Sequence, residues 1–255
     1  METYQAPTVR KAFQILSLVC ETSQGVRLSE LSKQLKISKS TVHGIVSALE
    51  DIGALIRNPL TKRFTLGITL FELGKAAFSR IDLKETARPI MEHLMELAQE
   101  SVFLGVRNGE HVTILHIVES KQDLKITAPV GTRIPLLAGA TGKVFMACMT
   151  DEWIRTLIQK KGIRKYTEHS ITNPERFLKE IRKARQNGFA VDDEEYISGV
   201  RAVAASIKSE GAPNSAIWVV GFKPRMTREK ISILVKETRQ VAETISERIK
   251  SQTVF

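Results

Sequence analysis

Lys39, Ser40, Thr41, His43 and Ser47 fall on one face of a helical segment whose other face carries Val42, Ile45, Val46 and Leu49. Small hydroxyls led by a cation suit the base edges and phosphate oxygens of a DNA major groove. Arg57, Lys62 and Arg63 flank Asn58-Pro59-Leu60-Thr61, a hairpin turn, and put more positive charge close by. A second candidate is Leu137–Lys143. There Ala140, Thr141 and Gly142 open a helix through small residues, and free N–H groups at a helix start can hold a carboxylate. The same glycines also suit a turn that only lets a helix pack closely. A nucleotide-binding P-loop does not fit, because Leu137 stands where its first glycine belongs and Val144 where its Ser or Thr belongs.

Other reactive side chains point away from catalysis. Asp192-Asp193-Glu194-Glu195 are consecutive, and on extended backbone neighbours alternate sides, so they do not converge as an acid/base pair. Turn caps and salt bridges account for them. His111 and His116 lie five apart on one strand and face opposite ways, which excludes a shared metal. Cys20 and Cys148 offer neither metal spacing nor a disulfide framework, and Cys148 reads as a core thiol in an apolar helix. No nucleophile with its base, no metal set and no cofactor fingerprint can be assembled. The expectation is a non-enzyme with no cofactor.

These groups need elements to hold them. Residues 8–22 read as a helix burying Val9, Ala12, Phe13, Ile15, Leu16 and Val19. Leu28, Leu31 and Leu35 mark a second short helix. Residues 36–38 form a turn in which Ser38 caps the next helix, and Gly53 ends that helix. Ala54–Arg57 and Lys62–Leu66 then pair as a wing, so residues 1–66 read as a winged helix-turn-helix domain. Residues 67–82 carry Leu70, Phe71, Leu73, Ala77 and Phe78, more apolar surface than a free linker needs. They read as a connector helix that packs on something, such as a second subunit. Asp82 caps a helix running to about residue 100 that contains Pro89.

From 102 the period changes to that of strands, with a hairpin at Asn108-Gly109 and one or two more strands over 124–136. Helices follow, then strands over 188–208 and 215–222, then a terminal helix capped by Thr227. That order is α+β: an antiparallel sheet with flanking helices over 83–255. The length of 255 residues fits two domains, and the net charge of +10 favours an anionic partner, although the excess is spread along the chain. The first residues lack a signal-peptide core and no apolar run spans a membrane, so a cytoplasmic protein without membrane contact is expected.

Over nearly its full length the chain resembles the IclR family of bacterial transcription regulators. The resemblance rests on KSTVHGIVSALEDIGALIRNPLTKRFTLG at 39–67, VGTRIPLLAGATGK at 130–143 and GFAVDDEEYISGVRAVAASI at 188–207, followed by the strand at 215–222. It implies an N-terminal domain that reads a double-stranded DNA operator. It also implies a C-terminal GAF-like domain that binds a small effector, commonly a carboxylate, and assembly as a homodimer or homotetramer. It places Asp192 at the effector pocket, with Ala140, Thr141 and Gly142. Gly44 stands where members often have Arg, Ala202 where a Cys is common, and Trp218 and Val220 where acid-binding members often have Ser. With Phe222 and Met146, Trp218 and Val220 are either core or an apolar pocket wall. As a wall, they imply an aromatic or alicyclic acid larger than glyoxylate or pyruvate. An enzyme acting on a small carboxylate with an accessory winged helix is the alternative, and a protein-binding winged helix is a third reading that salt dependence separates from DNA binding.

Overall fold

A computed structural model describes residues 6–22, 24–79, 83–208 and 214–253. The chain divides into two compact units, Met1–Arg80 and Ile81–Phe255.

The first unit contains α1 (Pro7–Cys20), β1 (Val26–Arg27), α2 (Leu28–Leu35), α3 (Lys39–Asp51), β2 (Leu55–Arg57), β3 (Arg63–Leu66) and α4 (Ile68–Ser79). Ser38 caps α3, its Oγ accepting from the Thr41 N–H at 3.3 Å. Ile15, Leu31, Val42, Val46, Leu49 and Phe64 close one small core. The wing is three-stranded, in the order β1-β3-β2. β1 has two residues, too short to show a period, and joins by pairing Val26 with Phe64.

Two expectations for α1 fail. Val9 and Phe13 are 56% and 66% exposed, while Ile15 and Val19 are buried. The helix carries two apolar stripes, 9/13/16 and 12/15/19, and this unit covers mainly the second. The connector side chains of Ala77 and Phe78 and the cap at Asp82 lie outside what is described.

The second unit contains α5 (Leu83–Ala98), β4 (Ser101–Asn108), β5 (His111–Val118), β6 (Arg133–Pro135), α6 (Gly139–Met146), α7 (Asp151–Lys161), α8 (Pro174–Asn187), β7 (Phe189–Asp193), β8 (Val200–Ile207), β9 (Ser215–Phe222) and α9 (Arg228–Thr253). One antiparallel sheet runs β6-β5-β4-β9-β8-β7. Alternation sorts its side chains onto two faces. Val203, Ala205, Ile217 and Val219 join the core with α5 and α9, and Ala202, Ala204, Ala216, Trp218 and Val220 join the core with α6, α7 and α8. Of the segment 124–136 only Arg133–Pro135 is strand. Cys148 is exposed, because α6 ends at Met146 and the chain turns outward before reaching it.

Candidate functional site

On the first unit, Lys39, Ser40 and His43 of α3 are exposed, with Thr41 and Ser47 half-buried beside them. The Thr41 and Ser40 hydroxyls lie 2.8 and 3.2 Å from the Ser38 Oγ, so the helix start is a small hydroxyl cluster. Between this face and the wing runs an open groove of about 370 Å³ whose walls include Lys39, His43, Ser47, Arg57 and Lys62. The Arg57 guanidinium is positioned over the Phe64 ring, 5.7 Å from its centre. Arg63 stands apart. It donates to the Gly25 carbonyl at 2.7 Å and to both Glu30 carboxylate oxygens at 3.2 and 3.4 Å, tying the wing to α2. Glu30 also accepts from the Arg27 backbone N–H. That bond, followed by the Arg63 charge, holds its carboxyl below the usual range. These bonds give Arg63 a structural role that the sequence reading, which took it as a DNA contact, did not include.

On the second unit, a cavity of about 210 Å³ opens between the start of α6 and the sheet. Ala140, Thr141, Asp192, Ala202, Trp218 and Val220 all line it, brought from α6, β7, β8 and β9. Trp218 stacks on Phe103 with ring centres 5.6 Å apart and 9° between planes. Gly105 makes that possible, since a Cβ there would lie 2.8 Å from the Trp218 ring. Polar groups are few. Thr141 is 6% exposed, and its hydroxyl has no hydrogen-bond partner among the described residues. The N–H groups of Gly139, Ala140 and Thr141 are the first three of α6 and have no acceptor four residues back within the helix.

Asp192 is 7% exposed. Its Oδ1 accepts from the Glu195 N–H at 2.6 Å, and its Oδ2 lies against Gly139, where a Cβ would collide with it. Gly139 has φ +58°, so both its conformation and its bareness are used. Burial pushes the Asp192 carboxyl up to about 6, against the pull of the Glu195 and Tyr196 backbone N–H groups and the Lys143 charge. Lys143 is itself committed: it donates to the Val191 carbonyl at 3.0 Å and pairs with Glu195. Burial also raises Glu195, opposed by Lys143. Asp193 pairs with Arg201 and Glu194 with Lys223, so the acidic run is a turn held by ion pairs.

Two family models match the chain. "Bacterial transcriptional regulator IclR C-terminal" covers residues 75–247, and "IclR helix-turn-helix domain" covers 8–59. The chain belongs to the IclR family. It is thus a DNA-binding transcription regulator, in a family of regulators rather than enzymes. The HTH-type transcriptional regulator KipR of Bacillus subtilis (strain 168) is 30% identical over 95% of this chain and 96% of its own. The IclR structure from Thermotoga maritima is 27% identical at a TM-score of 0.66, covering 95% of this chain and 98% of that one. An IclR homolog from Microbacterium hydrocarbonoxydans, complexed with 4-hydroxybenzoate, shares the fold at a TM-score of 0.77 and 20% identity over 96% of this chain and 99% of that one. No helix among the described residues is long and apolar enough to cross a membrane.

Within this IclR member three expected pocket residues sit elsewhere. The Gly142 N–H donates to the Ala138 carbonyl at 3.2 Å, so it is not free for an anion. A Cβ on Gly142 would collide with the Leu136 carbonyl oxygen, and the residue serves close packing of α6. Met146 is fully buried in the core behind the cavity, and Phe222 packs against that core without reaching the cavity. Residue reading missed Phe103, Ile126, Ala128 and Tyr196 on the cavity wall, and Arg27 and Glu50 in the groove. Arg27 had a signal, a cation directly before α2. The wall residues at 126 and 128 belong to irregular backbone and had none.

Proposed function

We propose that operator DNA binding by this protein is gated by a small organic acid held in the cavity of the C-terminal unit. Lys39, Ser40, Thr41, His43, Ser47, Arg57 and Lys62 form the DNA-contacting set, with Arg27 beside them. Two copies or more assemble, since one recognition helix reads too few base pairs alone. The exposed Val9 and Phe13 of α1 and Phe71 of α4 offer apolar surface for that contact.

The observation that carries the effector reading is the Thr141 side chain at the start of α6, which lines the cavity and whose hydroxyl has no partner among the described residues, so that it is open to a ligand there. Beside it, the first N–H groups of α6 supply donors for a carboxylate. The remaining wall is mostly apolar, and burying a ring against it stabilises by about 25 cal/mol per Å². A volume of about 210 Å³ is below the roughly 300–1,000 Å³ of pockets for drug-sized ligands, which favours a single-ring acid. The Microbacterium homolog's aromatic acid is consistent with that class.

Calorimetry on the full chain with glyoxylate, pyruvate, benzoate and 4-hydroxybenzoate tests the reading. Ring acids are expected to bind more tightly than the two small acids, and Thr141→Val to weaken them about tenfold, the loss of one hydrogen bond to a charged group. Tight glyoxylate binding with no response to ring acids contradicts the ligand class. Unchanged affinity in Thr141→Val contradicts the site.

A further inference from the structure

The charges around the cavity do not balance a bound carboxylate. Asp192 and Glu195 are acids, and Lys143 is the one cation set between them, paired to Glu195 and bonded to the Val191 carbonyl. A ligand carboxylate at the first N–H groups of α6 would arrive beside Asp192 Oδ2, which already lies against Gly139. The α6 terminus contributes a partial positive charge of about one half, enough to favour one anion there and not two. Two carboxyl groups that close in a dry site do not both ionise, and they settle by holding one proton between them.

We propose that the ligand's carboxyl group and Asp192 share one proton, so that the cavity takes up a proton from solvent when an acid binds at neutral pH. The inference rests on the reading of the cavity as a carboxylate site. Among the described residues the other charged and titratable groups around it are committed elsewhere, Arg164 included, whose guanidinium lies 5.3 Å from the centre of the Tyr166 ring and acts on Tyr196. From α6 the facing charge is Lys143, already committed. The turn after β7 contributes Glu195 and the Tyr196 ring, whose hydroxyl is pushed above the ordinary tyrosine range by burial. The loop before α8 contributes Tyr166, set edge-on to Tyr196 at 4.9 Å, while His169 acts on Glu194 further out. From α8, Glu180 and Arg176 act on Glu195 with opposite signs. β8 and β9 face the cavity with Ala202, Trp218 and Val220, which carry no charge. Burial already displaces Asp192 toward the protonated form, with a midpoint at about 6.

Titration calorimetry of the full-length protein with the same four acids at pH 5.5, 6.5 and 7.5, in two buffers of different ionisation enthalpy, reads the proton directly. All four are ionised throughout that range. Above about pH 6 the dissociation constant should rise about tenfold per pH unit, and uptake should approach one proton per ligand at pH 7.5. Below that point the dependence should flatten. Asp192→Asn, which keeps an acceptor for the Glu195 N–H and presents an amide N–H to the ligand, should bind with flat affinity and no uptake. The wild-type buffer comparison needs no variant, so the result stands even if that variant does not fold. Binding with flat wild-type affinity and no uptake overturns this inference alone and leaves Asp192 as an ionised acceptor for a ligand hydroxyl. Absence of binding by every acid at every pH overturns the carboxylate reading as well.

Discussion

As proposed recognition sites, the face of α3 and the cavity behind α6 are built in opposite ways. On α3 the candidate groups come from one stretch of nine residues and are exposed or half-buried at the surface, so they are expected to contribute nearly independently. In the cavity they come from four elements up to 80 residues apart, are buried, and depend on each other's packing and charge. The surface site therefore tolerates change at single positions, while the buried one couples ligand affinity to stability and pH.

The largest effect should appear on the surface, when several charges are removed together. Replacing Lys39, Arg57 and Lys62 by alanine is expected to flatten the salt slope of DNA binding by about three and to weaken binding roughly 100-fold or more near physiological salt. Band shifts across salt concentrations measure both. Arg63→Ala gives the contrast: it should lower thermal stability through loss of the link to Glu30 and Gly25, with little change in the salt slope of the folded protein.

A pair of identical substitutions sharpens the comparison. Gly142→Ala drives a methyl into the Leu136 carbonyl and should cost about 3 kcal/mol in denaturant unfolding. Gly44→Ala meets nothing within 4 Å on the exposed face of α3 and should stabilise that unit by up to about 1 kcal/mol. Equal effects at the two positions would break the distinction.

Between these lies Asp192. Its folded-state midpoint of about 6 is raised above the ordinary aspartate value, so its contribution is intact at low pH and is lost as pH climbs through about 6. A two-unit rise corresponds to about 3 kcal/mol of ionisation cost, reduced to about 2 in Asp192→Asn by weaker bonds to the turn. The variant should melt higher than wild type above pH 6, and the two should converge toward pH 4.

The helix-turn-helix was legible because α3 shows its period directly and Ser38 and Gly53 mark its ends. The wing's third strand was not, since two residues carry no alternation. Phe13 was misplaced because periodicity identifies an apolar stripe without saying whether this chain or another covers it. For the cavity, the family resemblance put Thr141 and Asp192 together, whereas residue spacing alone did not, because the approach of Asp192 to the start of α6 depends on Gly139 lacking a side chain. Gly142 shows the opposite failure. A glycine before Lys143 suits an anion loop and a packing contact equally, and only its approach to Leu136 decides.

The central claim is that cavity occupancy changes operator affinity. It is tested most directly by fluorescence anisotropy of the full-length protein on a duplex selected from random DNA, titrated with and without a saturating ring acid already shown to bind by calorimetry. The account predicts a shift in DNA affinity of about fivefold or more, within the range of ordinary coupling energies, that needs about ten times more acid in Thr141→Val. An unchanged DNA affinity with the cavity demonstrably occupied would contradict it.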